Sequence, residues 1–103
     1  MHVVAFLTDL MDRSRLTGTL VDLTFATDPL AASDAEAVLI DLTRFGPIVA
    51  AVRAVAPDAR IVAFGPHVDT DSLAQAIRDG ADAAIPRSQL FRDPAAAVSG
   101  EPI

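Results

Sequence analysis

One short apolar segment that ends in a carboxylate constrains the fold of this chain more than any other. Residues 37–42, with the sequence AVLIDL, place four apolar side chains directly before Asp41. A segment this short and this apolar is typical of a strand that is buried on both faces of a parallel sheet. Asp41 would then lie at the carboxyl edge of the sheet, where open α/β folds place their ligand sites. The segment therefore predicts an α/β architecture and the edge at which a site belongs.

Four further segments are predicted to be strands, at residues 3–8, 21–27, 60–64 and 83–86. The second of them alternates, with Val21, Leu23 and Phe25 on one face and polar or small residues on the other, as at the edge of a sheet. Pro86 has no backbone N–H to donate, so it belongs at a strand end or on an edge strand. These segments, added to residues 37–42, predict a sheet of five strands.

Helices are predicted between the strands, over residues 9–20, from 46–47 to about 56, over 71–79 and over 94–98. Their inward apolar positions are Leu10, Met11, Leu16 and Leu20, then Ile48, Val49, Val52 and Val55, then Leu73, Ala76 and Ile77. Only about eight residues separate the second and third strands, so the second helix is shortened to one or two turns. This alternation predicts a three-layer, doubly wound α/β fold with right-handed crossovers.

Composition excludes several classes of function. The 103 residues carry a net charge of −6, with eight Arg, no Lys and no Cys. An acidic chain without a basic cluster argues against nucleic-acid binding, and no segment approaches the roughly 20 apolar residues of a membrane span. The absence of Cys excludes disulfides and thiolate metal sites and fits a cytoplasmic protein. We expect one domain over residues 1–99, with a frayed tail at 100–103.

Polar residues collect at the carboxyl ends of the predicted strands. They are Asp9 after the first strand, Asp41 after the third, His67 after the fourth, and Arg87 and Ser88 after the fifth. Two carboxylates a strand apart can hold Mg²⁺, which prefers oxygen ligands, and a carboxylate beside a metal can attack a phosphoryl group. The sequence equally allows a purely structural role, in which each Asp caps a helix, Arg87 pairs with Asp9 or Asp41, and His67 is solvated.

Three motifs resemble the receiver domain of bacterial response regulators, and together they extend over nearly the whole chain. They are FLTD at residues 6–9, VLIDL at 38–42 and AIRDGAD at 76–82. The resemblance implies a flavodoxin-like or CheY-like fold with five parallel strands in the order 2-1-3-4-5. It also implies that Asp41 is the phosphoacceptor of a two-component system and that Asp9 is a Mg²⁺ ligand.

The chain departs from the receiver pattern at each position that assists the phosphoacceptor. Receivers carry two adjacent acids after the first strand, where this chain has Thr8 and Asp9. Gly65 stands where they have Thr or Ser, and Arg87 stands nearest to their Lys. Arg retains the positive charge but not the compact ammonium group. These departures favour a degenerate receiver, or pseudo-receiver, that signals through binding.

Two other functions stay open on the sequence. The first is an atypical phosphoacceptor that uses Asp41, with Asp9 holding Mg²⁺ and Arg87 replacing the Lys. The second is a small enzyme or anion-binding protein with a pocket at the strand edge that contains Asp9, Asp41, His67, Arg87 and Ser88.

The partner expected from the resemblance is a protein: a kinase, an output protein or a second copy of the chain. No output domain follows the fifth strand in this sequence, so we expect output through such a partner or a homodimer. Receivers often pair through the face around the fourth helix and fifth strand. That face would carry Leu73, Ile77, Ile85 and Phe91, and Phe91 is the predicted exposed contact.

Overall fold

The computed structural model describes residues 1–101 of the chain as a five-stranded sheet flanked by helices. The strands are β1 (His2–Phe6), β2 (Asp22–Phe25), β3 (Ala37–Asp41), β4 (Arg60–Gly65) and β5 (Ala83–Pro86). All neighbours are parallel and lie in the order β2-β1-β3-β4-β5. The predicted fold class and strand order are therefore confirmed, and Pro86 ends an edge strand as expected.

The central strand is β3, which lies between β1 and β4 and is buried along its whole length. Ile40 pairs with Phe6 of β1, and Asp41 pairs with Phe64 of β4. Because Phe6 ends β1, Asp41 lies one residue beyond the last pair with that strand. The register thus brings the Asp41 carboxylate to the carboxyl edge, close to the loop that follows β1.

Within residues 1–101, six α-helices and two 3₁₀ turns lie between the strands or after the last of them. They are α1 (Leu10–Thr17), a 3₁₀ turn (Pro29–Ala32), α2 (Leu42–Phe45), a 3₁₀ turn (Gly46–Ile48), α3 (Val49–Val55), α4 (Thr70–Arg78), α5 (Arg87–Arg92) and α6 (Pro94–Ser99). The short connection between β2 and β3 is confirmed as a single 3₁₀ turn. Two helical segments differ from the prediction: α2 begins at Leu42, directly after β3, and α5 was not predicted.

The helices divide between the two faces of the sheet and bury one apolar cluster on each. On one face, Leu16 of α1, Leu90 of α5 and Val98 of α6 pack against alternate residues of the central strands. On the other face, Ala32, Val49, Val52 and Ala76 pack against the remaining alternate residues. This arrangement confirms the three layers and joins α1, α5 and α6 on the same side of the molecule.

Three apolar residues that the sequence pattern placed inward are exposed, and so is Val21, which the pattern placed in the second strand. Leu10 and Met11 are 78% and 77% exposed, Val21 is fully exposed and Ile77 is 49% exposed. The buried stripe of α1 runs through Asp12 and Leu16, four residues apart, which turns Leu10 and Met11 toward solvent. Val21 precedes β2, and Ala76 takes the inward position of α4 beside Ile77. These inward assignments were wrong.

The amino edge of β4 is fixed by a single arginine. Arg53 of α3 donates hydrogen bonds to the carbonyl oxygens of Gly80 and Ala59, at 2.9 and 2.8 Å, and pairs with Asp82 at 2.7 Å. Burial alone would raise the pKa of the Asp82 carboxyl, but the Ile61 N–H and Arg53 lower the pKa below its usual value. Gly80 has φ +115°, so it supplies a conformation that other residues rarely adopt.

The chain closes with α6 and its cap. Gly100 has φ +83°, and the Glu101 N–H donates to the Ala96 carbonyl, as at many helix ends. Residues 102 and 103, the last part of the predicted tail, lie outside the described residues, and the domain boundary at residue 99 stays a prediction. Within residues 1–101, no helix combines the length and apolarity needed to cross a membrane.

Candidate functional site

A polar cleft of about 340 Å³ opens at the carboxyl edge of the sheet, where open α/β folds place their ligand sites. Its lining residues come from the loop after β1, from α1, from the end of β3 with the start of α2, and from the start of α5. They are Thr8, Asp9, Asp12, Asp41, Thr43, Arg44 and Arg87. Three residues predicted from the sequence, Asp9, Asp41 and Arg87, therefore meet in one cleft.

Asp41 is buried and begins a helix. The residue is 6% exposed, and its side chain accepts a hydrogen bond of 3.0 Å from the Thr43 N–H. Because an unpaired N–H at a helix start needs an acceptor, this carboxylate serves as the N-cap of α2. The cap also explains why α2 begins immediately after β3.

Asp9 has the same role at α1. Its backbone is extended, with φ −64° and ψ 123°, and its side chain accepts a hydrogen bond of 2.9 Å from the Asp12 N–H. An ionised carboxylate can accept several hydrogen bonds, so capping does not exhaust either Asp9 or Asp41. Both carboxylates nevertheless cap helices, as the structural alternative in the sequence analysis predicted.

Arg87, one of two arginines in the cleft, is paired with the buried carboxylate of Asp12, a residue that was not predicted from the sequence. Its Nη2 donates to Oδ2 of Asp12, not to Asp9 or Asp41. The Asp12 side chain is 6% exposed and that of Arg87 is 40% exposed. A signal was available, since Asp12 lies four residues before the buried Leu16 and a charge on an inward helix face needs a partner.

The other predicted residues lie outside this cleft. Gly65 ends β4 and is buried, with Leu42 as the nearest neighbour of a Cβ built on it, at 3.6 Å. His67 is exposed in the loop before α4, and the side chain that caps α4 is that of Asp69, through the Ser72 N–H. Ser88 lines a separate recess. The cleft also contains Thr43 and Arg44, which the prediction missed because it started the helix after β3 too late.

Mg²⁺ ligation by Asp9 and Asp41 can be examined through the available donors. Within residues 1–101, no cluster of three or more Asp, Glu or His side chains is arranged to hold a metal ion. Mg²⁺ in proteins often uses one or two carboxylates and several waters, so two carboxylates are a small but chemically suitable set. The third carboxylate of the cleft, Asp12, is already paired with Arg87. Magnesium binding by Asp9 and Asp41 thus stays a prediction.

Comparison with known proteins gives structural matches only. No protein-family model and no curated protein sequence matches the chain. A response regulator from Burkholderia pseudomallei, solved with a phosphorylated aspartic acid, superposes with a TM-score of 0.73 at 18% identity over 95% of this chain. NtrX from Brucella abortus gives 0.75 at 19% identity over 97%, and a response regulator from Thermotoga maritima gives 0.71 at 14% over 96%.

These likenesses establish the fold: the chain has the receiver, or CheY-like, α/β fold. It spans 66% of the Burkholderia chain and 27% of the NtrX chain, whereas it spans 98% of the Thermotoga chain. At 14–19% identity, these structural matches establish the fold of this chain but not the chemistry of its site. The function must therefore be argued from the cleft itself.

Proposed function

We propose that this domain is a receiver-like signalling module that acts by binding a partner protein, and that Asp41 is not phosphorylated in the usual way. The observation that carries the proposal is the ion pair between Arg87 and Asp12. Arg87 stands nearest to the Lys that pairs with the phosphoryl group in receivers. Because a buried carboxylate already neutralises Arg87, a phosphoryl group on Asp41 would have to compete with Asp12 for this cation.

The surroundings of Asp41 support the same proposal. Asp41 is 6% exposed and its Oδ1 accepts the cap hydrogen bond of α2, so a phosphoryl group on Asp41 would have to be accommodated beside this cap. Gly65, at the end of β4, has no hydroxyl to follow a phosphoryl group. The remaining function of such a domain is recognition of a protein: a kinase, an output protein or a second copy. A cytoplasmic, bacterial two-component setting belongs to this proposal.

A second candidate function is phosphorylation of Asp41 with Arg44 as the counter-cation. Arg44 lines the same cleft and, within residues 1–101, forms no ion pair. In this alternative, Arg44 pairs with the phosphoryl group on Asp41, because Arg87 is already paired with Asp12. The atypical phosphoacceptor therefore differs from the pseudo-receiver in a property that can be measured, namely the response of Asp41 to a phosphoryl mimic.

The test is an amide NMR titration with Mg²⁺ and then with beryllofluoride, which mimics a phosphoryl group on a carboxylate. We expect the amides of Asp41, Gly65 and Arg87 to be unaffected by the two reagents together. Shifts that require both reagents and disappear in an Asp41→Asn variant would contradict the proposal. Asp12→Asn is the informative second variant. A response in this variant alone would show that the ion pair with Asp12 prevents Arg87 from pairing with the phosphoryl mimic on Asp41.

A further inference from the structure

A second recess lies beside the cleft, on the side of the molecule where α1 meets α5. Its lining residues are Arg15, Arg87, Ser88, Phe91 and Arg92, and we name it the α1–α5 arginine surface. It shares Arg87 with the cleft, but its other residues do not line the cleft that contains Asp9 and Asp41. Nothing in the proposed role of the cleft explains why three arginines gather here.

Phe91 orders the arginines of this surface. The guanidinium carbons of Arg15 and Arg87 lie 4.5 and 5.4 Å from the centroid of its ring. The ring itself is fixed by an edge-to-face contact with the buried Phe64, at 5.9 Å between centroids. Phe91 is half-buried beneath these arginines and is not the exposed contact predicted from the sequence. A guanidinium stacked on a ring keeps its planar fork of N–H donors, so Arg15 is pre-organised to bind carboxylates.

The surface is cationic on an acidic molecule. Within residues 1–101, neither Arg15 nor Arg92 forms an ion pair, whereas Arg87 pairs with Asp12. Asp93, next to Arg92, has its carboxylate hydrogen-bonded to the Ala96 N–H as the cap of α6. Three of the eight arginines therefore gather here in a chain whose acids outnumber its arginines fourteen to eight. Such segregation of charge favours an anionic ligand at this surface.

One exposed apolar side chain, that of Met11, neighbours the same surface. Met11 precedes Arg15 by four residues, so the two lie on the same side of α1. Met11 is 77% exposed. A ligand that contacts both the arginines and Met11 would need carboxylates and an apolar group within a few residues of each other.

We infer that the α1–α5 arginine surface binds a short acidic segment of a partner protein, with two or three Asp or Glu beside an apolar residue. The molecule measures only 30 × 29 × 26 Å, and most of its other charge is negative. Screening at physiological salt acts over about 8 Å, so a long polyanion or an anionic membrane would meet repulsion beyond this surface. A short segment would not. The inference rests on the proposed function and deepens it by naming the chemistry of the partner.

The test measures binding of a fluorescein-labelled peptide, EELEELE, to the whole chain by fluorescence anisotropy. We expect saturable binding that Arg15→Gln weakens by about threefold to tenfold, with a further loss in the double variant with Arg92→Gln. Arg78→Gln is the matched control, since Arg78 is an exposed arginine on α4, across the sheet. The control should bind as the wild type does. A QQLQQLQ peptide should not bind, and added salt should weaken EELEELE binding.

Three results would overturn the inference: no saturable binding of EELEELE to the wild type, equal losses in Arg15→Gln and Arg78→Gln, or equal binding of QQLQQLQ. A fourth result would come from sedimentation of the unliganded protein. If the wild type self-associates and Arg15→Gln abolishes this, a second copy of the chain, and not an acidic segment of another protein, occupies the surface. Thermal melts of each variant check that it is folded. Failure here remains distinct from failure of the proposed function, which is decided by the beryllofluoride response of Asp41.

Discussion

The pairing of Arg87 with Asp12 predicts that the two halves of the ion pair are unequal in their effect on stability. Arg87→Met keeps much of the apolar stem and removes the charge, which leaves the Asp12 carboxylate, 6% exposed, without its partner. Asp12→Asn keeps the shape of the side chain and leaves Arg87, which at 40% exposure can be hydrated. We therefore expect Arg87→Met to be the more destabilising change.

The magnitudes follow from the burial of the group that loses its partner. Breaking a fully buried ion pair costs about 3–5 kcal/mol. Because the Arg87 side chain of the wild-type pair is 40% exposed, the pair is only partly buried, and we expect a cost of about 2–3 kcal/mol for Arg87→Met. Asp12→Asn should cost about 0.5–1.5 kcal/mol, the value of a hydrogen bond to a charged group that is partly retained. The double variant should be less destabilised than the sum of the single variants by about 1 kcal/mol.

Urea denaturation followed by circular dichroism measures this difference. With an m-value of about 1.5 kcal/mol/M, the midpoint of Arg87→Met should fall by about 1.3–2 M relative to the wild type. The m-values of the variants should match that of the wild type, so that midpoints can be compared. Equal effects of the two single variants, or a larger effect of Asp12→Asn, would refute the assignment of Asp12 as the buried, dependent partner.

Four further predictions concern one helix cap, two glycines and stability in acid. Asp41→Ala should lower the free energy of unfolding by about 1 kcal/mol and Asp41→Asn by much less, since Asn also caps helices; urea melts decide this, and equal losses would contradict the cap. Gly80→Ala should cost about 1–2 kcal/mol by the same measurement, because φ is +115° and the new Cβ would lie 3.0 Å from Cγ of Arg53. Gly65→Ser, whose Cβ meets Leu42 in ordinary contact at 3.6 Å, should lower the free energy of unfolding by no more than about 1 kcal/mol, although the position is buried. The folded pKa of Asp82 lies below its unfolded value of about 3.9, so its stabilisation is present above that pH and is lost as the pH falls through the folded pKa. The stability difference between wild type and Asp82→Asn should therefore shrink in acid, and a difference that does not change with pH would contradict the shift.

The sequence predicted the sheet well because its strands are short apolar segments separated by clear turn signals. Residues 83–86 and the buried segment ending at Asp41 match β5 and β3 closely. Helix α5 was missed because no side chain caps its start and Pro86 precedes it, so residues 87–92 lack a local signal for a helix. Its formation depends on tertiary packing, above all on the fully buried Leu90.

The sequence predicted the candidate site in part. Asp9, Asp41 and Arg87 meet because parallel strands bring their carboxyl ends to one edge. Asp12 was not selected from the sequence, whereas the rotation of α1 turns it inward to meet Arg87, 75 residues later. That rotation is set by Leu16 packing against the sheet, and the four-residue spacing of Asp12 and Leu16 was the one available signal for it.

The claim that Asp41 is not a phosphoacceptor is tested most directly by intact-mass spectrometry after incubation with acetyl phosphate and Mg²⁺. The matched samples are the wild type, Asp41→Asn and Asp12→Asn, each quenched rapidly because acyl phosphates hydrolyse. The proposed function predicts no added phosphoryl group on the wild type. A wild-type protein that gains one phosphoryl group, when Asp41→Asn gains none, would contradict the proposed function and identify the domain as a working phosphorylation switch.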